Sequence, residues 1–123
     1  TGGHAVKTLV FVYGTLKRGG DNHGWIKQQQ FVAEARTLPF YRLYDLGGYP
    51  GMVRVPKQGL SIEGEVWEVD EAGLAKLDVL EDTEGGEYER VVVPLDGAFA
   101  STHVEGYLYL RSIEDRRELG TCW

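Results

Sequence analysis

The sequence predicts an α+β fold: about six or seven short strands curled into a small mixed β-barrel, with one or two short helices on its flank. Three observations carry that prediction. Short runs of β-branched and aromatic residues recur along the chain, each cut off by Gly, Pro, Asn or Asp. The 17 glycines among 123 residues favour frequent tight turns over long helices. A single stretch, Glu71 to Glu81, spaces its leucines as a helix does. No repeat of fixed period and no low-complexity linker interrupts this pattern, and the length suits one domain. We expect a disordered or appended start over residues 1–6, a domain over 7–115 and a tail over 116–123.

Taken in order, Thr8 to Tyr13 is apolar without interruption, which suits a central strand buried on both faces. Gly14 to His23 is rich in Gly, Lys, Arg, Asp and Asn and reads as a loop. Gly24 to Gln30 is expected as a short helix turning Trp25 and Ile26 inward. Phe31 to Thr37, Phe40 to Asp45 and Met52 to Val55 read as strands, the last two parted by Gly47-Gly48-Tyr49-Pro50-Gly51, where Gly and Pro forbid regular structure. Ser61 to Val69 alternates apolar residues with Glu63, Glu65 and Glu68, so one face is buried and the other wet. Asp70 can cap the following helix by accepting from N–H groups of its first turn. Leu74, Leu77 and Leu80 form the apolar stripe of that helix. At about 100° per residue, Glu81 projects between Leu74 and Leu77, while Asp82 falls on the polar side. Tyr88 to Leu95 and His103 to Arg111 are the last strands, separated by a turn at Asp96-Gly97.

Composition narrows the function. A formal net charge of −6 disfavours nucleic acid or an anionic membrane surface as partner, because both are bound by excess Lys and Arg. A small soluble ligand fits better, and a monomer or weak homodimer is expected. The lone Cys122 cannot make an internal disulfide, and no apolar run is long enough for a membrane span or a signal peptide, so a cytoplasmic setting is the default. His4, His23 and His103 lack metal-ligand spacing, so no metal is expected. Neither a phosphate-binding Gly-rich motif with its Lys nor a Gly-x-Ser-x-Gly elbow is present.

Two features point to chemistry. The strand Leu9 to Tyr13 stops at a Tyr-Gly pair and runs into Gly14-Thr15-Leu16-Lys17-Arg18-Gly19, a turn whose successive N–H groups are free to hold an anion or a carbonyl oxygen. Glu81, set on an apolar helix face, acquires a raised pKa if it is buried without a cation, and a carboxyl of that kind exchanges protons near neutral pH. The alternatives stay open at this point: a hairpin connection for the turn, and a surface acid at the helix end for Glu81. Tyr49, Tyr88, Tyr107 and Tyr109 serve as core packing or lend hydroxyls to a ligand. Arg90 is either a clamp for a substrate carboxylate or an ion-pair partner.

These residues together resemble the γ-glutamylcyclotransferase-like family, and most of all its γ-glutamylamine cyclotransferase and AIG2-like branch. The resemblance rests on Phe11-Val12-Tyr13-Gly14-Thr15-Leu16-Lys17-Arg18-Gly19 with Asn22-His23, on Gly48-Tyr49-Pro50, and on Ile62-Glu63-Gly64-Glu65-Val66-Trp67-Glu68-Val69. It continues through Leu77-Asp78-Val79-Leu80-Glu81, Tyr88-Glu89-Arg90 and Gly106-Tyr107-Leu108-Tyr109. It implies a small β-barrel with flanking helices, a cavity lined by the Tyr13 to Leu16 loop, and Glu81 as the acid/base. The implied reaction is cyclisation of a γ-glutamyl amine or γ-glutamyl amino acid to 5-oxoproline with release of the amine or amino acid, without cofactor. The candidate substrate-binding residues are then Tyr13, Gly14, Thr15, Leu16, Tyr49, Tyr88 and Tyr109. The rival expectation is a non-catalytic small-metabolite binding or interaction module on the same barrel.

Overall fold

The strands sort into two sheets around β1 (Lys7–Val12), whose two faces are both buried from Val10 to Val12. The computed structural model describes residues 7–20 and 23–123. The expected start at 1–6 and the Asn22 of the opening motif lie outside the described residues. The remaining elements are β2 (Gln30–Arg36), β3 (Tyr41–Asp45), β4 (Pro50–Arg54), β5 (Glu63–Asp70), α1 (Glu71–Leu80), β6 (Tyr88–Val92), β7 (Glu105–Tyr109) and β8 (Arg117–Leu119). Five strands form one sheet in the order β2-β5-β1-β7-β6, and three form another in the order β4-β3-β8. β1 is antiparallel to β5 and parallel to β7, so the sheet is mixed.

The alternation of β1 explains its central place. Val10 and Val12 enter one apolar cluster with Leu16, Ile26, Trp67, Leu77 and Tyr88. Phe11 and Tyr13 enter another with Leu43, Met52, Ile62 and Val66. A strand buried on both faces carries no polar side chain toward either, which is how Leu9 to Val12 reads.

The α+β class holds, while the barrel is open rather than closed, and the described residues form eight strands where six or seven were expected. The edge strands β2 and β6 remain unpaired to each other along their length, but their continuations meet. Thr37 bridges Leu95, the Leu38 N–H donates to the Pro94 carbonyl at 3.0 Å, and the Asp96 N–H donates to the Arg36 carbonyl at 3.0 Å. The curled sheet is thus pinched at one end. The strand that sequence reasoning missed is β8, inside the stretch expected as a tail. Arg117-Glu118-Leu119 is too short and polar to show alternation, and it is held by pairing with the distant β3. The Thr121 carbonyl then accepts from the Glu63 N–H at 2.7 Å. The helix expected over Gly24 to Gln30 is a single 3₁₀ turn, His23–Trp25, and Trp25 is 43% exposed while Ile26 is buried. A segment this short buries one apolar side chain and leaves its neighbour outside. Among the described residues no helix is long and apolar enough to cross a membrane.

α1 starts as expected. The Asp70 carboxylate accepts from the Gly73 N–H at 2.7 Å, and Leu77 is buried beneath β1 and β5. Thr37, fully buried at the pinch, accepts from the Ile62 N–H at 2.9 Å and donates to the Leu38 carbonyl at 2.8 Å. Thr37→Val keeps the shape and strands the Ile62 N–H without water, so urea denaturation should show a loss of about 1–3 kcal/mol with an unchanged m-value; an unaltered midpoint contradicts this role for the hydroxyl.

Candidate active site

A cavity of about 500 Å³ opens where the ends of several elements converge. Its wall takes Phe11 to Leu16 from the end of β1 and the loop after it, Gly48, Tyr49 and Pro50 from the turn into β4, Leu80 and Glu81 from the end of α1, Glu87 and Tyr88 from the start of β6, and Tyr107 from β7. Most of the residues singled out from the sequence therefore meet in one place, although they come from distant parts of the chain.

Glu81 is fixed by the way its helix stops. Its own N–H donates to the Leu77 carbonyl at 2.9 Å, and the chain then turns left-handed at Asp82, with φ of 53°. The Asp82 N–H donates to the Val79 carbonyl at 3.1 Å and the Thr83 N–H to the Asp78 carbonyl at 3.1 Å. This pair of bonds is a Schellman cap with Asp in the position glycine usually takes. It closes the helix at the residue whose side chain lines the cavity. Among the described residues, none gives the Glu81 carboxyl a hydrogen bond or a salt bridge. Burial, and secondarily the charge of Glu87, raise its pKa from 4.5 to about 7. The negative end of the helix dipole acts in the same direction.

The loop facing Glu81 is anchored by a second carboxylate of opposite character. Glu65, opposite Val12 in the sheet and buried, accepts from the Arg18 N–H and the Arg18 Nε at 3.0 Å each, and from the Trp67 Nε1 at 3.1 Å. Burial alone raises a carboxyl pKa, but these hydrogen bonds outweigh it and hold Glu65 below its ordinary value. The Arg18 guanidinium also stacks 3.9 Å above the Phe31 ring. His23 Nδ1 lies 3.0 Å from the Leu16 carbonyl oxygen, and the Lys17 N–H donates to the Gly14 carbonyl at 3.1 Å. The loop is thus tied through its carbonyls and Arg18, while the N–H groups of Gly14 and Leu16 meet no protein acceptor among the described residues. Gly14 has a packing reason to be glycine: a Cβ there would stand 2.6 Å from Cγ of Pro50. The cradle loop and the Gly48-Tyr49-Pro50 turn touch directly at this point.

The tyrosines line the cavity differently from expectation, because their hydroxyl protons are already committed. Tyr13 donates to the Tyr107 carbonyl at 2.7 Å and accepts from the Met52 N–H at 3.2 Å. Tyr88 donates to the Pro50 carbonyl at 2.7 Å, Tyr107 to Asp78 Oδ1 at 2.7 Å and Tyr49 to Glu87 Oε1 at 2.9 Å. Burial pushes the pKa of all four upward, so they remain neutral phenols. They brace the walls and leave only oxygen lone pairs for a ligand. Tyr109 is not part of the wall; its ring packs edge-on against Tyr88 with centroids 5.4 Å apart. Arg90 takes the ion-pair reading, bonding Asp78 at 2.6 Å and Glu105 at 3.1 Å outside the cavity. Sequence reasoning missed Glu65, Glu87, Leu80 and Pro50 in these roles. The alternation of β5 and the strand-flanking place of Glu87 gave no sign that either carboxylate faces the loop or the cavity.

The unpaired Glu81 makes stability depend on pH in a definite sense. Its folded pKa exceeds the ordinary one, so its contribution is intact below about 4.5 and is lost as pH rises through 7. Glu81→Gln should therefore match the parent at pH 4 and exceed it at pH 8 by on the order of 2 kcal/mol, after allowance for partial exposure. Denaturant titrations at the two pH values measure this, and an equal difference at both contradicts it.

Comparison with known proteins identifies the family. The family model described as "Gamma-glutamyl cyclotransferase, AIG2-like" matches residues 10–123. A putative gamma-glutamylcyclotransferase of Vibrio cholerae is 51% identical over 74 residues, 60% of this chain; the chain spans 62% of that relative's length. The gamma-glutamylcyclotransferase family protein YtfP of Escherichia coli K12 is 37% identical over 107 residues, with 85% of each chain covered. The crystal structure of an AIG2-like protein from Mus musculus superposes with a TM-score of 0.71 at 30% identity, covering 89% of this chain and 79% of the mouse chain. The chain belongs to the gamma-glutamyl cyclotransferase, AIG2-like family.

Proposed function

We propose that this protein cyclises a γ-glutamyl amine or γ-glutamyl amino acid to 5-oxoproline, with Glu81 as general acid and base. The observation that carries the reading is a carboxyl with no partner among the described residues, its pKa raised to about 7, in the same cavity as Gly14 and Leu16, whose N–H groups meet no acceptor among the described residues.

The chemistry follows from those parts. The substrate carries an α-ammonium, which is not a nucleophile until it loses a proton. Glu81 as carboxylate takes that proton, and the amine then attacks the γ-carbonyl carbon of its own side chain. As the new C–N bond forms, charge develops on the carbonyl oxygen. The N–H groups of Gly14 and Leu16 offer it hydrogen bonds aimed at the charge as it develops. Collapse of the tetrahedral intermediate breaks the bond to the departing nitrogen. Glu81 relays to that nitrogen the protons shed by the attacking one, so the ring becomes a neutral lactam and the amine leaves as its ammonium. No water is consumed. The cavity walls hold the flexible glutamyl chain bent, and such positioning can supply several kcal/mol of the barrier reduction.

Incubating the protein with γ-glutamyl amino acids and γ-glutamylamines should yield 5-oxoproline by mass spectrometry. Glu81→Gln should lower turnover at least about a hundredfold with the fold retained. Because the base must be ionised in the free enzyme, kcat/KM should rise with pH through an inflection near 7. Absence of 5-oxoproline across the panel, or near-normal activity in Glu81→Gln, sinks the reading and favours the non-catalytic binding module.

A further inference from the structure

The cavity is lopsided in charge. Its wall carries two carboxylates, Glu81 and Glu87, and neither Lys nor Arg. Basic side chains close to it in sequence are bonded elsewhere: Lys17 to the Trp123 carbonyl, Arg18 to Glu65, Arg90 to Asp78 and Glu105, and Arg116 to the Leu46 carbonyl. The lining tyrosines have donated their hydroxyl protons inward, so they too present lone pairs.

Glu87 is held firmly. Its N–H donates to the Asp82 carbonyl at 3.1 Å, its carbonyl accepts from the Leu110 N–H at 2.9 Å, and its Oε1 accepts from the Tyr49 hydroxyl at 2.9 Å. A carboxylate has about four lone-pair sites, and Tyr49 occupies one. No described cation pairs with it. The acid/base role asks Glu81 to give up and take protons, whereas Glu87 has no step in that sequence and stands in the same cavity as a carboxylate that no described cation bonds, although the Arg116 charge acts on its partner Tyr49. A departing amino acid would bring its own carboxylate toward two carboxylates and be repelled. A departing amine with a second, protonated nitrogen would be attracted.

We propose, resting on the cyclotransferase reading, that Glu87 is a specificity-determining residue that selects γ-glutamyl amines whose departing amine carries a second, cationic nitrogen. Tyr49 is its positioning residue, fixing the carboxylate by the hydroxyl bond.

The test compares two isosteric ligands: γ-glutamylcadaverine, which ends in an ammonium, and γ-glutamylhexylamine, which ends in a methyl group. Calorimetric titration into Glu81→Gln, where turnover is blocked, should show the cationic ligand binding about tenfold more tightly, with the preference shrinking in high salt. In Glu81→Gln/Glu87→Gln the ratio should fall to near one, while affinity for the hexylamine compound is unchanged and so reports an intact cavity. Equal affinities with Glu87 present, a preference that survives its removal, or binding of neither ligand overturns the proposal. The two readings fail separately. Wild-type conversion of both compounds to 5-oxoproline without charge preference overturns the role of Glu87 alone, whereas charge-selective binding without 5-oxoproline supports that role and overturns the chemistry.

Discussion

Placing a carboxyl group in a largely buried position with no counter-ion among the described residues costs free energy, and the arrangement around Glu81 is organised by that cost. A surface helix end would have let the side chain reach solvent. Here the left-handed turn at Asp82 ends α1 abruptly, and the residue before it faces the cavity between the end of β1 and the start of β6. The penalty is expressed as proton affinity: the group that cannot be charged cheaply becomes one that gains and loses a proton near neutrality. On the proposed reading, the free energy that folding loses there is what fits the residue for proton transfer.

Glu65 shows the opposite solution a short distance away. It too is buried, yet three N–H groups from Arg18 and Trp67 satisfy it, and it stays ionised. That satisfied charge ties the loop after β1 to the sheet, and Gly14 lets the same loop close against Pro50. One carboxylate thus builds the wall, and another, left unsatisfied, faces the space the wall encloses. The tyrosines follow the same division. By spending their hydroxyl protons on Pro50, Tyr107, Asp78 and Glu87, they stiffen the cavity and leave donation to backbone groups.

Much of this was legible in the sequence because local physics decides it. The unbroken apolar run before Tyr13 marks the central strand, Asp70 marks the start of α1, and the 100° projection places Glu81 with Leu77 before any coordinates are consulted. What was illegible depends on partners far away in sequence. Arg18 reads as an exposed loop cation until β5 brings Glu65 beneath it, and Glu87, which nothing local singles out, gains its place only when Tyr49, 38 residues away, bonds it. Arg117 to Leu119 has no strand pattern of its own and becomes β8 only against β3. Tyr109 shares its strand face with Tyr107, as alternation requires, yet its ring packs edge-on against Tyr88, its cross-strand partner, and does not line the cavity.

The central claim is that Glu81 is a desolvated carboxyl without a partner, and its own titration tests that most directly. Carbon-13 NMR of the side-chain carboxyl, assigned by loss of its signal in Glu81→Gln, follows the ionisation of this one group. A midpoint near 7 is the result the account predicts. A midpoint near 4.5, the value of a carboxyl in open solvent, would contradict it and return Glu81 to the status of an ordinary acid at the end of a helix.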